Sequence, residues 1–296
     1  MTGAAPAARL GLPGEEGAQK ALWTRCFEDG ADLLDYFYDH CCESGDVVTV
    51  GAGDRTRAMA VLLSVPLRLP DGRTVEAGYF YAFCTRPEDR GRGLGALVLD
   101  KAHETLKARG CACITTVPAN EYSRRYFARH GFSDFFRVRQ CGIDTSALPP
   151  ARPGDAAEPV GPAAYASLRE ACLAGTLYSV YSDALLGFQH WLAETSGGGL
   201  YRILLDGAAG CAAVGCEGEG RAAVRELLLP DGAALRGLSA LAKRLPARRW
   251  QVRTPAFQPG LPGADTIPFA MIQWYDPVLA RAYADWQGGH FGLGFD

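Results

Sequence analysis

The chain contains little lysine, no run of like charges and no apolar stretch long enough to cross a bilayer. Four of its 296 residues are lysine, and its formal net charge is -3. Binding along a nucleic-acid backbone needs clustered positive charge, so this balance argues against a nucleic-acid partner. A membrane-spanning helix needs about 20 consecutive apolar residues. Since the chain also starts without a secretory leader pattern, we predict a cytoplasmic protein with no membrane partner.

The ten cysteines lack the spacing of a disulfide framework or a zinc site. No C-x-x-C pair is present, Cys41 and Cys42 are adjacent, and Cys111 and Cys113 lie two residues apart on a predicted strand. Most of the others have apolar neighbours, where a free cysteine behaves as a small hydrophobe. The five histidines are scattered without the helix spacing of metal ligands. We therefore predict reduced cysteines and no metal.

What is present is a globular composition and a recognisable order of elements. Apolar residues make up 48% and charged residues 21%, and the length suits two domains. Residues 1–14 are predicted to be a loose start. Apolar periodicity then predicts helices over residues 15–27 and 31–42, strands over 47–50, 58–67 and 75–84, a helix from 94, a strand over 111–117 and a helix over 120–130.

The second half of the sequence repeats this order. Residues 145–162 contain five prolines and no apolar periodicity, which predicts a linker. Beyond it we predict helices over 162–173 and 182–194, strands over 200–205, 210–214 and 222–229, a helix over 233–245 and a strand over 250–253. Similar five-residue segments at residues 93–97 and 237–241 indicate an internal duplication. The predicted fold class is α/β (α+β), with mixed, mostly antiparallel sheets in two domains, 1–145 and 146–296.

A glycine-rich turn separates a predicted strand from a predicted helix. Alternating glycines let the backbone turn sharply and remove side chains that would block a ligand. The helix start attracts anions, and arginine forks match phosphate oxygens. The sequence therefore predicts a diphosphate site, formed by Arg90, Gly91, Arg92, Gly93, Leu94 and Gly95.

The same turn formally fits the dinucleotide fingerprint G-x-G-x-x-A, which would indicate a nicotinamide-dependent oxidoreductase. That fingerprint follows the first strand of a helical crossover unit, and an acidic residue comes about 20 residues later. Here three predicted strands precede the turn without a helix between them, and residues 111–116 contain no acid. The oxidoreductase alternative is therefore weak.

Residues 79–132 resemble the coenzyme A signature of the GNAT superfamily of N-acetyltransferases. The resemblance rests on the glycine turn and on a second segment with the family's N-x-x-A-x-x-L-Y-x-x-x-G-F spacing, here Asn120, Ser123, Gly131 and Phe132. The tandem order also resembles the enhanced-intracellular-survival type, without a counterpart of that type's sterol-carrier-like domain. The resemblance implies an acyltransferase that uses acetyl-CoA as cosubstrate to acetylate an amine of a small molecule or peptide.

The resemblance also implies where the cosubstrate binds. Backbone groups of Phe83, Cys84 and Thr85 would pair with the pantetheine arm, and Asn120 would lie beside that arm. The amides of residues 91–95 would hold the pyrophosphate.

The catalytic groups are less well matched to the family. Its usual acid is a tyrosine four residues before the glycine of the G-F pair, and Phe127 occupies that position. We predict Tyr126 as a substitute, with Tyr122 as a second one, although adjacent helical residues point about 100° apart. The predicted bases are Glu76 and, by analogy with the enhanced-intracellular-survival type, the carboxylates of Asp296.

The second half is predicted to be a degenerate copy. Of the three glycines of the turn it offers Gly237 alone, with Leu235 and Ser239 in the other places. It would either wall the substrate cleft or mediate assembly into a homo-oligomer. Because Phe127 removes the usual acid, a non-catalytic acyl-CoA sensor is the alternative function.

Overall fold

A computed structural model describes residues 6–52 and 55–295. The described residues form two compact units. The first contains residues up to 66, residues 75–116 and residues 272–282, and the second contains residues 67–74, 117–271 and those from 283 onward. The predicted boundary near residue 145 concerns the repeated order along the chain and stays a prediction. Among the described residues, no helix has the length and apolarity that crossing a membrane requires.

The described residues form eight α-helices and sixteen strands. The helices are α1 (Glu16–Phe27), α2 (Ala31–His40), α3 (Leu94–Ala108), α4 (Glu121–Arg129), α5 (Pro162–Leu173), α6 (Asp183–Thr195), α7 (Ala234–Ala242) and α8 (Pro277–Ala282). The strands are β1 (Ala8–Leu10), β2 (Val47–Ala52), β3 (Arg55–Ser64), β4 (Leu67–Arg68), β5 (Thr74–Val75), β6 (Ala77–Thr85), β7 (Cys113–Thr116), β8 (Ser133–Asp144), β9 (Ala156–Pro159), β10 (Leu177–Ser179), β11 (Gly199–Leu205), β12 (Ala208–Cys216), β13 (Arg221–Leu228), β14 (Arg249–Pro255), β15 (Asp265–Trp274) and β16 (Gly289–His290).

The sheet of the first unit has the order β1-β2-β3-β6-β7. Its pairs are antiparallel except β6 and β7, which are parallel. In β3, every residue from Ala58 to Leu63 is buried, as expected for a central strand that is covered on both faces. In the apolar stripe of α3, Leu94, Val98, Ala102 and Leu106 are buried, whereas Leu97 is only half-buried.

The sheet of the second unit contains the run β8-β14-β13-β12-β11-β9. Here too the pairs are antiparallel, with β13 and β14 as the parallel exception. A small additional sheet pairs β10 with β4 and with β16. The core of this unit includes Trp250 of β14, whose side chain is fully buried.

The two halves of the chain repeat one order of elements. In each, two helices precede three antiparallel strands, and a helix then leads to a strand that is parallel to the third (β2-β3-β6-α3-β7 and β11-β12-β13-α7-β14). The third strand of each set also has a one-residue irregularity in its register. This repetition, together with the mixture of antiparallel and parallel pairs, confirms the predicted fold class.

Six strands lie where the sequence predicted none, namely β1, β8, β9, β10, β15 and β16. β1 falls in the predicted loose start, β9 in the predicted linker, and β8 after the last predicted helix of the first half. β1 and β9 are edge strands of three and four residues, too short to show alternation. Pro159 can end β9 because an edge strand does not need every amide for pairing. This is why residues 145–162 show no apolar periodicity, although β9 within them is part of a sheet.

Candidate active site

The end of β6 has an irregular backbone. Tyr81 pairs with Val61 but Cys84 pairs with Met59, so β6 has one extra residue opposite β3. Ala82 lies in this bulge with φ of 49°, a region that non-glycine residues rarely adopt. A bulge redirects backbone groups and often lies next to a functional site. The ladder with β7 runs from Ala77 to Tyr79, so the bulged segment lies beyond it.

The glycine turn follows this strand and ends at the first residue of α3. Gly91 and Gly93 both have φ of 75°, and a Cβ built on either would point into open space. The first helical bonds reach Gly93 O from the amides of Ala96 and Leu97, at 3.1 and 3.3 Å. The amides of Leu94 and Gly95 come before these bonds, where helix amides lack intrahelical acceptors. The turn thus combines open space with the positive end of a helix.

The side chain of Asp89 holds the glycine turn in place through ion pairs with two arginines. Its buried carboxylate oxygen Oδ1 lies 2.7 Å from Nη2 of Arg57 and 3.2 Å from Nη1 of Arg92. The hydrogen bond from Arg57 lowers the pKa of the Asp89 carboxyl, so it stays ionised. Arg90 donates from Nε to Thr85 O at 3.2 Å, which joins the turn to the end of β6. The exposed guanidinium groups of Arg90 and Arg92 therefore stay at the turn.

The predicted residues of the first unit meet the requirements of a diphosphate group. Two glycines leave the ligand space open, a helix start supplies amides, and two arginines add positive charge. The predicted pantetheine strand, Phe83 to Thr85, is tied to this turn through Arg90. Sequence analysis did not identify Asp89 or Arg57 as part of the site. The available signal was that Asp89 directly precedes the arginine-rich turn. An acidic residue in that position needs a positively charged partner once it is buried.

Glu76 lies at the other end of the strand. It immediately precedes β6, its side chain is exposed, and its carbonyl accepts from the amide of Ala112 at 2.7 Å. Cys84 lies eight positions further along the chain, or at most about 26 Å away at 3.3 Å per residue. This geometry does not bring Glu76 to the glycine turn, and its role as a base stays a prediction.

Asn120 is the N-terminal cap of α4, and both belong to the second unit. Its Oδ1 accepts from the amide of Ser123 at 3.0 Å, and Oγ of Ser123 accepts from the amide of Asn120 at 3.1 Å. These reciprocal bonds form a capping box, which explains the spacing of the two residues without a ligand. The predicted contact of Asn120 with the cosubstrate stays a prediction.

The adjacent aromatic residues of α4 have different surroundings. Phe127 is 3% exposed and packs on Phe132, with ring centroids 5.3 Å apart. The Tyr126 ring lies 4.3 Å from the His130 ring and is half-buried, with its hydroxyl oxygen inside the protein. Tyr122, the second predicted substitute, is 83% exposed. Of the two tyrosines, Tyr126 therefore has the more restricted position. Asp296 lies outside the described residues.

In the second half, the turn before α7 contains one positive-φ glycine, where the turn before α3 contains two. Gly237, the glycine of the similar segment at residues 237–241, lies inside α7. A Cβ on it would overlap the side chain of Leu229. The sequence prediction that Gly237 corresponds to a turn glycine was therefore wrong, because α7 already begins at Ala234. The residue that turns the chain before α7 is Gly232, with φ of 76°. Gly260 packs directly on its backbone, since a Cβ on Gly260 would lie 2.6 Å from Cα of Gly232.

The family comparison covers the elements just described in the first half. The sequence profile of the acetyltransferase (GNAT) domain matches residues 9–134, which include the bulged strand, the glycine turn and α4. These residues are therefore similar to a GNAT acetyltransferase domain. This match confirms the predicted family resemblance and the predicted enzyme class, an acyltransferase. A comparison of the sequence with curated proteins gives no match.

Solved structures share the GNAT fold with this chain at low sequence identity. A protein from Enterococcus faecalis V583 described as a probable N-acyltransferase is 11% identical, with a TM-score of 0.69 over 92% of this chain and 73% of that one. A GCN5-related N-acetyltransferase from Kribbella flavida is 17% identical, with a TM-score of 0.64 over 94% and 74%. Eis1 from Mycobacterium abscessus is 13% identical, with a TM-score of 0.68 over 92% and 75%. These comparisons extend across both halves of the chain and support a common fold.

Proposed function

We propose that the chain is an acetyl-CoA-dependent N-acetyltransferase that acetylates an amine of a small molecule or peptide by direct acyl transfer. The observation that carries the proposal is the glycine turn at the start of α3, where two positive-φ glycines face open space. The turn combines these glycines with a helix start and two arginines, and a structural connection alone would not require that combination. A cytoplasmic location and a homo-oligomeric state remain predictions of the sequence.

The residues of the turn would bind the cosubstrate by its pyrophosphate. The amides of Leu94 and Gly95 and the side chains of Arg90 and Arg92 supply hydrogen-bond donors and positive charge. Backbone groups from Phe83 to Thr85 would align the pantetheine arm along the bulged strand. Acetyl-CoA, when bound, supplies the activated acyl group, and no metal takes part in this proposal.

Acyl transfer places three demands on the protein. Backbone amides near Cys84 would stabilise the charge that develops on the carbonyl oxygen. The amine must lose its proton before it attacks, directly or through water, and Glu76 and Asp296 are the predicted bases. The departing thiolate needs a proton, for which Tyr126 is the predicted donor. A thiolate is also a fair leaving group, so the absence of a tyrosine at Phe127 is compatible with turnover.

The position of Phe127 favours a second candidate function. Its ring is buried against Phe132, so the place of the family's usual acid is filled by an apolar side chain. A protein that binds acyl-CoA without turnover, acting as a sensor, would have no need of an acid there. Both candidates require the glycine turn, and only the enzyme requires an amine.

Two measurements on the same protein test the proposal. Acetyl-CoA should raise the melting temperature, whereas NAD should leave it unchanged. With a panel of amines added, the enzyme should release free thiol from acetyl-CoA, and a sensor should not. A melting temperature that does not change with acetyl-CoA would overturn both candidates. A rise in melting temperature without thiol release from any amine of the panel would favour the sensor.

A matched pair of glycine variants locates the binding site. Gly93 and Gly110 flank α3 and have φ of 75° and 77°, and a Cβ on either would meet open space. Gly93→Leu and Gly110→Leu should therefore carry a similar backbone strain of about 1–2 kcal/mol. Gly93→Leu alone should lose the acetyl-CoA-induced rise in melting temperature. An equal loss in both variants would show that the turn is not the binding site.

A further inference from the structure

A cavity of about 590 Å³ lies at the carboxyl end of α7, within the second unit. Proteins bind small molecules in pockets of roughly 300–1,000 Å³, so the cavity is large enough for such a ligand. Its wall is built from β9, from β11 and from the residues at the end of α7. The lining includes three alanines, one tyrosine and two adjacent cations, namely Ala156, Ala157, Ala240, Tyr201, Lys243 and Arg244.

The two cations of the cavity lack acidic partners. In the described part of the chain, no carboxylate lies within salt-bridge distance of the Lys243 ammonium or the Arg244 guanidinium. Lys243 instead donates from Nζ to the backbone carbonyl of Asp155 at 3.4 Å, which holds its charge beside the cavity. Arg236 of α7 differs from them, because it pairs with Asp155 at 2.5 Å and with Asp206 at 2.6 Å. Lys243 and Arg244 therefore supply positive charge that no neighbouring acid offsets.

Asp155 also lines the cavity, but its carboxylate is already bound on both oxygens. The side chain is 1% exposed, and Oδ1 accepts from Nη2 of Arg236 at 2.5 Å. Oδ2 accepts from Nε of Arg236 at 3.3 Å and from the amide of Arg152 at 3.2 Å. Arg236 thus offsets the repulsion that this carboxylate would exert on an anion. The charge that remains uncompensated at the cavity is positive.

The position of the two cations at a helix end has a second consequence. A positive charge near the carboxyl end of α7 interacts favourably with the helix dipole, which would stabilise the helix. That effect requires neither a cavity nor the convergence of two neighbouring side chains. Adjacent helical residues point about 100° apart, whereas Lys243 and Arg244 line the same cavity. This convergence indicates a common ligand.

We propose that the cavity is a binding site for a small phosphate monoester, held by the Lys243 ammonium and the Arg244 guanidinium. A phosphate monoester carries close to two negative charges at neutral pH, which matches the two uncompensated cations. Its oxygens suit both a guanidinium fork and an ammonium group. The alanines leave room for the organic part of the ligand, and Tyr201 forms part of the wall that it contacts. The site lies within the second unit and does not rest on the proposed acetyltransferase function.

Isothermal titration calorimetry of the full chain with phenyl phosphate tests this site. Wild-type protein should bind one equivalent saturably, whereas benzyl alcohol, which keeps a ring but lacks the phosphate, should not bind. Arg244→Gln should weaken the binding of phenyl phosphate about tenfold, and Lys243→Gln/Arg244→Gln about 100-fold. The reason is that each cation contributes a charge-assisted hydrogen bond, which corresponds to about a factor of ten in Kd or more.

The matched control removes the same charge from another adjacent pair of cations. Arg248 and Arg249 are exposed, belong to the second unit and do not line the cavity. Arg248→Gln/Arg249→Gln should therefore bind phenyl phosphate like wild type. Melting curves without ligand establish which variants are folded, and Arg244→Gln alone decides the question if the double variant at the cavity does not fold.

Gly93→Leu separates this site from the proposed acetyl-CoA site. It should bind phenyl phosphate like wild type, and Lys243→Gln/Arg244→Gln should keep the acetyl-CoA-induced rise in melting temperature. Loss of phenyl phosphate binding in Gly93→Leu alone would place the phosphate at the glycine turn, which overturns the cavity site and leaves the proposed function intact. Equal weakening in the two double variants, or no saturable binding by wild type, would also overturn the proposal.

Discussion

Arg169 and Glu226 form an ion pair that is closed off from solvent. Nε of Arg169 lies 3.1 Å from Oε1 and 3.0 Å from Oε2 of Glu226, and the two side chains are 3% and 0% exposed. Tyr165 donates to Oε2 at 2.5 Å, and Nε2 of His290 lies 2.7 Å from Oε1. Nη1 and Nη2 of Arg169 reach the carbonyls of Ser179 and Phe291 at 2.5 and 3.2 Å. The cluster therefore ties α5 and β13 to the segment that follows residue 289.

Removing Arg169 should destabilise the protein strongly. Arg169→Met keeps much of the apolar volume but leaves the Glu226 carboxylate buried without its main partner. We expect a loss of about 3–5 kcal/mol in the free energy of unfolding, measured by urea denaturation. The control is Arg202→Met, because the pair between Arg202 and Glu158 is exposed on both sides and should be worth less than about 1 kcal/mol. Similar losses in the two variants would contradict this account.

Acid should weaken the same cluster. Burial disfavours the charged form of Glu226, but Arg169, His290 and Tyr165 outweigh it and lower the pKa of Glu226 to about 2. An unfolded glutamate titrates near 4.3, so the unfolded state takes up a proton first as the pH falls. The stabilisation is therefore fully present above that value and is lost toward pH 2, by about 3 kcal/mol in total.

His290 extends the pH dependence upward with the same sign. Burial lowers its pKa, although Glu226 partly opposes this. Below about pH 6.5 an unfolded histidine gains a proton that the folded one does not. The free energy of unfolding therefore again decreases as the pH is lowered. His290→Gln keeps a donor toward Glu226 but cannot titrate. Unfolding curves between pH 7 and 4 should be flatter for this variant than for wild type, and identical slopes would show that His290 does not contribute.

The cluster also shows what local sequence patterns cannot predict. Residues 57 and 64 positions apart meet at Glu226, and neither periodicity nor a short motif links Arg169 or His290 to it. By contrast, α5 was predicted with the bounds that the structure has, because Pro162 marks the start of the helix and a regular apolar face follows.

The candidate site divides in the same way. The glycine turn could be predicted because its chemistry is local: positive-φ glycines, a helix start and arginines adjoin one another in sequence. Its support by Asp89 and Arg57 crosses 32 residues, and the bulge at Ala82 leaves no signature in composition. Asn120 was assigned to the cosubstrate by resemblance, whereas its capping role follows from its spacing to Ser123 alone.

The role of Tyr126 as an acid can be measured in the acetyltransferase assay. Tyr126→Phe should lower kcat about 100-fold if this hydroxyl protonates the leaving thiolate, with little change in KM for acetyl-CoA. Tyr122→Phe is the control, since the Tyr122 side chain is 83% exposed one helical turn earlier. A pH profile of kcat separates the two roles, because a structural hydroxyl would not move it. Unchanged kcat in Tyr126→Phe would remove this residue from the mechanism.

Gly292 should be one of the least replaceable residues in the second unit. A Cβ at this position would overlap Oε1 of Glu226 and crowd Nη2 of Arg169 at 2.9 Å, within a cluster that has no flexible end to move aside. Gly263 has a similar φ, 67° against 77°, but a Cβ there would meet open space. Gly263→Ala should therefore cost about 1–2 kcal/mol from backbone strain alone.

Gly292→Ala should cost about 2–4 kcal/mol more than that, because displacement of the carboxylate breaks the buried pair. Urea denaturation of both variants at pH 7 measures the difference. Repeating the measurement at low pH adds a second criterion. The difference in free energy of unfolding between the two variants should decrease as Glu226 becomes protonated, because the ion pair then stops stabilising the wild type as well. A gap that is absent at pH 7 would mean that the chain near residue 292 can shift, and that the cluster does not fix the end of the chain as tightly as its geometry implies.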